Sequence, residues 1–387
     1  MFATPTKTDT KDTIGTSGTK KILEAISTTG KDVSTVCIGG INGSNIQRVL
    51  FQSSAESKSL DGVAVVSAIV AASDPEKAAK DLLELVKTPP PFAAAELANT
   101  NKLDVPALLI QRVATIIASI GEKAPLSHNM TNLVVQNFAA NVALAVGGSP
   151  IMANYGEEAQ DLSKLGGALV INMGTVTPDG LRNYGQALQA YNLVGGPVVF
   201  DPVGGGATSV RRSAIKTLLS KGYFDVIKGN EGEIKAVLGS LIQQKGVDSG
   251  PSTSSDAEKA TLVRDLAKRE RNVVVMTGVK DFISDGRRTF AIANGDELLG
   301  RITGSGCVLG TTISLMLTAS REDKLIGAIA GILHYEIAAE IAAAREDVKG
   351  PGTFVPALID ELYNIQKATT AGSLGWLDEA RIEVIDV

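Results

Sequence analysis

Ala168-Leu169-Val170-Ile171-Asn172 is a short apolar run that closes on a polar residue and gives way to a helical pattern. Pro197-Val198-Val199-Phe200, Phe224-Asp225-Val226-Ile227 and Asn272-Val273-Val274-Val275-Met276 repeat the arrangement, each followed by glycine or polar residues and then a helix-like stretch. Strands buried on both faces read as near-continuous apolar runs, and their alternation with helices predicts a parallel sheet covered on both sides. Ligands on such open sheets collect at the carboxyl ends of the strands. Residues 108–387 are therefore expected to form one α/β domain of three layers.

Upstream, Thr88-Pro89-Pro90-Pro91 stops a helix, and no β run follows through Lys102. Consecutive prolines force extended backbone, so 89–107 is read as a linker. Residues 1–88 alternate in shorter units. Helices are expected at Gly18 to Ser27, at Ser44 to Gln52 with Ser44 as cap, and after Ser73-Asp74-Pro75-Glu76 with Ser73 as cap. Val33 to Ile38 and Val63 to Val66 read as strands, the second one buried. A closed eight-stranded α/β barrel needs roughly 250 residues. This stretch therefore corresponds to about the last three βα units of one.

The 387 residues carry a net charge of −5 and no basic block, which argues against a nucleic-acid partner. Two distant cysteines give neither a disulfide framework nor metal-ligand spacing. The first residues lack an apolar signal core. Residues 325–344 are apolar but contain His334, Glu336 and Glu340, and predict a buried core helix rather than a membrane span. A cytoplasmic enzyme is expected. Residues 240–257 read as an exposed polar loop.

Chemistry-bearing residues gather after the predicted strands. Gly304-Ser305-Gly306-Cys307 opens an apolar helix, where backbone N–H groups and the helix dipole suit phosphate; a plain glycine turn is the alternative. Asp201, before Gly204-Gly205-Gly206, reads as a metal or phosphate-water ligand, or as part of a simple turn. Asn230 and Glu233, three apart at a helix start, suit Mg²⁺ with hard oxygen ligands or an ordinary cap. Lys228 reads as a phosphate contact or a solvated side chain, and Thr277-Gly278 as a phosphate contact or turn. His128 is expected to be a structural hydrogen-bonder, in a polar run leading to a helix from Val134 to Ala145, and His334 a core residue.

These pieces, with His128 to Asn132, Asn137 to Asn141, Gly148 to Met152, Asn172 to Thr175 and Gly350 to Phe354, resemble hydroxyethylthiazole kinases in order through nearly all of 108–387. The resemblance implies a ribokinase-like α/β/α fold. It also implies ATP- and Mg²⁺-dependent phosphorylation of the alcohol of 4-methyl-5-(2-hydroxyethyl)thiazole. Met152, Gly304 and Asn129 would face the thiazole; Lys228, Thr277 and Gly306 would face ATP. Asn230, Glu233 and Asp201 would organise Mg²⁺, and Cys307 would stand at the base position. Members often carry arginine where Lys228 stands, which trades a forked donor for a point charge. The family forms trimers, so a homotrimer or hexamer is expected.

Residues 1–88 resemble the C-terminal part of thiamine phosphate synthase, through Thr4-Pro5-Thr6-Lys7, Ile38-Gly39-Gly40-Ile41 with Asn45, and Gly62 to Ile69. Thr4, Thr6, Gly40, Val66 and Ser67 would bind thiazole phosphate or product, and Lys7 a phosphate. The synthase-then-kinase order is that of fungal bifunctional thiamine-biosynthesis enzymes. The family's early strands, with the pyrimidine pocket and the Mg²⁺ aspartates, have no counterpart here. The synthase reaction is therefore expected to be lost, or to need missing sequence or another chain.

Overall fold

The computed structural model describes residues 14–93, 106–240 and 254–387. Thr4, Thr6 and Lys7, residues 94–105 of the linker and residues 241–253 of the polar loop lie outside them. The described residues form two compact units, the first running to Ala93 and taking in Ser220–Gly222, the second comprising the rest.

The first unit contains α1 (Gly15–Ser27), β1 (Val36–Ile38), α2 (Ile46–Ser53), β2 (Gly62–Ala64), α3 (Ser67–Val70) and α4 (Pro75–Lys87). β1 and β2 pair in parallel, with Cys37 opposite Val63, so two of the three expected βα units lie among the described residues. The caps differ from expectation. Asn45, not Ser44, precedes α2, because Ser44 turns back to hydrogen-bond Asn42 Oδ1. Asp74, not Ser73, caps α4 by accepting the Lys77 N–H. β2 is half-buried rather than buried. A small core joins Cys37, Ile41, Ile46, Val49 and Leu82, while Val36 and Ile38 are 64% and 63% exposed.

The second unit is built on α5 (Pro106–Lys123), β3 (Leu126–Met130), α6 (Gln136–Ala145), β4 (Ser149–Ile151), α7 (Ala159–Lys164), β5 (Ala168–Asn172), α8 (Pro178–Val194), β6 (Val198–Asp201), α9 (Ser209–Lys221), β7 (Val226–Asn230), α10 (Glu231–Leu238) and α11 (Asp256–Glu270). It continues through β8 (Val273–Thr277), β9 (Asp281–Ser284), β10 (Thr289–Ile292), α12 (Ser305–Thr318), α13 (Lys324–Ala343), α14 (Pro351–Thr370) and β11 (Ile382–Val384). Among the described residues these strands form one sheet in the order β11-β10-β9-β8-β7-β6-β5-β3-β4. β4 through β8 run parallel, and β9, β10 and β11 add an antiparallel edge.

Alternation along each strand divides the core. Val170, Val199 and Val275 join the layer of α5, α6, α12, α13 and α14. Leu169, Ile171, Phe200, Val274 and Met276 join the layer of α8 to α11. This is the period-two partition that a sheet covered on both faces requires, and it realises the three-layer expectation. α13 is long and apolar enough to cross a membrane, but 89% of its apolar window is buried inside the protein. It is the expected core helix, and His334 within it is buried with Nε2 2.9 Å from Leu362 O.

The polar run at 125–132 is itself a strand, β3. Its polar side chains are matched across to α12: Ser127 Oγ lies 2.8 Å from Ser314 Oγ, and Thr311 Oγ1 donates to Asn129 Oδ1 at 2.7 Å. The following helix starts at Gln136, not Val134.

Candidate active site

The parallel strands β5, β6 and β7 end on Asn172, Asp201 and Lys228-Gly229-Asn230. Lys228 lies inside β7, so its side chain is aimed by the strand rather than by a loop. Lys228 Nζ stands 3.2 Å from Asp201 Oδ2, with both side chains almost fully buried. The solvated alternative for Lys228 is thereby removed. Asn172 Nδ2 also donates to Asp201 Oδ2, at 2.9 Å. Lys228 donates a further bond to Gly306 O at 2.6 Å, which ties the ion pair to the first turn of α12.

Electrostatics follow from this burial. Desolvation drives the Lys228 amine toward neutrality, but Asp201, Cys307 and Glu233 together hold its pKa above the ordinary value. Desolvation raises Asp201, against the pull of Lys228 and Asn172. With two donors on Oδ2, the pair stands as an ammonium–carboxylate. Removing one partner from such a pair typically costs 3–5 kcal/mol, because a buried charge is left uncompensated.

Gly304 precedes α12 with φ +85°, and a Cβ there would lie 2.2 Å from Val135 Cγ1. Only glycine fits both demands. It also leaves the helix without a side-chain cap, so the first-turn N–H groups of α12 remain open to an external acceptor. Cys307 sits in this turn and accepts from Asn132 Nδ2 at 3.4 Å. Asn132 also donates to Asn172 Oδ1 at 3.0 Å, so one line of side chains runs from the thiol to the ion pair. Burial, then the Asp201 charge, push the Cys307 thiol up to about 11, with Lys228 opposing. The thiol is neutral at physiological pH.

Asn230 and Glu233 form a capping box: Glu233 N donates to Asn230 Oδ1 at 3.0 Å, and Asn230 N donates to Glu233 Oε2 at 2.8 Å. The cap reading is realised. Glu233 Oε1 also accepts the Gly204 N–H at 2.8 Å, which draws the loop after β6 into the same wall. Burial, then the Asp201 charge, raise Glu233 to about 7. Thr277 ends β8 directly opposite Asn230 in register. Asn230, Glu233, Asp201, Lys228, Thr277, Gly304, Gly306 and Cys307 thus share one rim of the sheet.

Asn129 and Met152 lie in β3 and just past β4. Asn129 is fully buried and spends its amide on Ser127 O, Ser127 Oγ and Thr311 Oγ1, making it a strut between β3 and α12. Met152, just past β4, is partly buried against the α12–α13 side of the core. His128 bonds Ala153 O through Nε2 at 2.8 Å and is held neutral by burial, as expected of a structural histidine. In the first unit, Gly40 follows β1 and Val66-Ser67 follow β2, so the parallel pairing places all three at the same end of that small sheet.

Residues not singled out for a role complete the site. Asn132 and Asn172 make the line described above. Arg211, from α9, donates to Met173 O, Val203 O and Gly174 O, clamping the loops after β5 and β6. A polar residue closing an apolar strand run was a signal for Asn172; Arg211 had none.

The hydroxyethylthiazole kinase family model matches residues 117–368. The chain belongs to the hydroxyethylthiazole kinase family. Residues 1–69 of this kinase-family chain match the thiamine monophosphate synthase model. A probable thiamine biosynthetic bifunctional enzyme of Schizosaccharomyces pombe is 42% identical over 99% of the chain and 74% of its own length. The hydroxyethylthiazole kinase of Pyrococcus horikoshii is 42% identical over 64% of the chain and 91% of its own length. A solved structure of the kinase from Pyrococcus horikoshii OT3 superposes with a TM-score of 0.62 and 36% identity, covering 71% of the chain and all of that structure. The three-layer α/β/α expectation for this family member therefore stands.

Proposed function

We propose that the rim formed by β5, β6, β7 and the start of α12 phosphorylates the hydroxyl of 4-methyl-5-(2-hydroxyethyl)thiazole with ATP and Mg²⁺, in thiamine biosynthesis. The observation that carries this reading is the buried Asp201–Lys228 pair bonded directly to the uncapped glycine turn at the head of α12. Phosphoryl transfer needs in-line placement and charge neutralisation more than covalent help. The open N–H groups of the first turn would hold the moving phosphoryl group, with the Lys228 cation behind them. Gly306 and Thr277 would border the nucleotide; Met152 and Gly304 would border the thiazole.

Among the described residues no group of three or more His, Cys, Asp or Glu could hold a metal. Mg²⁺ characteristically keeps several waters and uses one or two carboxylates together with substrate phosphates. Glu233 and Asp201, with Asn230 beside them, fit that role and not an all-protein cage. When bound, the cation would supply charge neutralisation at the phosphates.

Cys307 would orient the substrate hydroxyl as a neutral thiol, since burial opposes its ionisation. A loose transition state makes little demand for a strong base. Cys307→Ala is expected to lower turnover, and Cys307→Asp to keep or raise it. Unchanged turnover in Cys307→Ala removes this role. The reading as a whole is tested by incubating the protein with ATP, Mg²⁺ and hydroxyethylthiazole and following the phosphate ester by ³¹P NMR.

The same reading makes the enzyme cytoplasmic and a trimer or a multiple of one; the exposed Leu133, Val134 and Leu144 near α6 support an oligomer. A second activity, joining hydroxymethylpyrimidine diphosphate to thiazole phosphate, is supported by the synthase match over residues 1–69. Val36, Ile38, Val66 and Val70 are exposed in that unit. That exposure supports a small sheet that works together with further strands beside Gly40, Val66 and Ser67.

A further inference from the structure

Asp281 opens β9, and Glu336 lies in the middle of α13. Both are buried, and Asp281 Oδ2 and Glu336 Oε2 each lack a hydrogen-bond donor. The two carboxyl groups are within hydrogen-bonding reach of one another. Two carboxylates in that position repel, and neither can donate. A single proton resolves both defects, giving one O–H donor and removing one of two like charges. The other oxygen of Asp281 accepts the Gly278 N–H at 2.9 Å. Gly278 directly follows Thr277, so the buried pair supports the turn that borders the rim.

We propose that Asp281 and Glu336 share one proton, resident on Glu336, and that this pair is a positioning device that fixes the Thr277-Gly278 turn against the nucleotide. The nucleotide part rests on the functional reading above; the shared proton does not.

The surroundings agree on where the proton resides. Burial, then the charge of Asp281, push Glu336 well above the carboxylate range; Glu340 of the same helix adds to the push and Arg381, ahead of β11, opposes it. Burial raises Asp281 to about 6, against the Gly278 N–H, Glu336 and the Lys228 cation of β7. Tyr335 beside Glu336 is held neutral by burial. Lys280, in the same turn, is engaged by Asp256 and Glu383. At neutral pH, Asp281 is therefore the carboxylate and Glu336 the acid. As pH rises, Asp281 ionises first, beside its donors, which forms the one-proton state; that state is lost when the Glu336 proton leaves at higher pH and sets two buried charges against each other.

The test uses the full chain and two readouts. Hydrogen exchange is followed on a peptide spanning Thr277 to Asp281 between pH 7 and pH 10, after correction for intrinsic exchange. The parent is expected to lose protection roughly tenfold as the pair loses its proton, equivalent to one unit of shared stabilisation. Glu336→Gln keeps a donor toward Asp281 without a titrating proton, and Asp281→Asn keeps the Gly278 acceptor without a second charge. Both are expected to stay protected with no alkaline step. An alkaline step persisting in both variants overturns the shared proton.

The second readout is KM for ATP across the same range. It should rise at alkaline pH in the parent with kcat little changed, and stay flat in Glu336→Gln. Flat exchange with an unaltered KM profile in Glu336→Gln overturns the positioning role. A parent that phosphorylates nothing overturns the functional reading instead, while exchange still decides the proton.

Discussion

The two units present similar strand ends and finish them differently. In the second unit, the residues at the strand ends are wired to one another: Asp201 to Lys228, Lys228 to Gly306, Asn172 to Asp201, and Glu233 to the N–H of Gly204. In the first unit, Gly40, Val66 and Ser67 share one end of a two-stranded sheet, yet Val66 is 65% exposed and Ser67 is exposed as well. A site becomes chemically potent when its charges are desolvated and matched. The second unit has closed that wiring; the described part of the first has not.

The strongest way to break this contrast is to open the closed site. Lys228→Met leaves Asp201 buried and unpaired. Stability should fall by about 3–5 kcal/mol in chemical denaturation, and turnover at least about 100-fold. Adding Asp201→Asn should restore most of the stability and none of the turnover. A single mutant as stable as the parent would show that the pair is not desolvated.

The core that supports the site is insulated as well. Burial depresses His334 to about 4, from an ordinary 6.5. The unfolded chain therefore binds more protons between those values, and stability falls as pH drops through that window. The loss should approach about 3 kcal/mol. His334→Gln, which keeps a donor toward Leu362 O, should flatten the acid limb of a stability–pH curve.

Gly304→Ala forces a Cβ against Val135 at positive φ. It should cost about 1–3 kcal/mol of local strain, visible as a lower Tm, together with a marked loss of turnover. At the small end, Ser67→Ala in the first unit should change stability by less than about 0.5 kcal/mol and leave kinase turnover alone. A drop in kinase rate there would show that the two units are not separate in function.

Much of the sheet was legible because its strands are uniformly apolar. Ala168–Asn172 coincides with β5, and the runs at 197–200 and 272–276 lie within one residue of β6 and β8. β3 was not legible as a strand, because Ser127, His128 and Asn129 look like a loop until α12 supplies their partners. The antiparallel edge escaped for a related reason: β9, β10 and β11 are short and depend on neighbours up to a hundred residues away. In the site, glycine turns and strand-end acids announced themselves. The line from Cys307 through Asn132 and Asn172 did not, since its members are 40 and 175 residues apart in the chain and no local pattern encodes such a contact. The cap misplaced at Ser73 reflects a competing acceptor next to it, Asp74, and the one at Ser44 reflects the turn that commits Ser44 to Asn42.

The most direct measurement of the central claim is a paired ³¹P NMR time course with ATP, Mg²⁺ and hydroxyethylthiazole, run on the parent and on the Lys228→Met/Asp201→Asn double variant after both are shown to be folded. The account expects the parent to form ADP and the thiazole phosphate ester in equal amounts, and the folded double variant to form neither. Ester formation by the double variant at the parent's rate, or none by the parent, would contradict it.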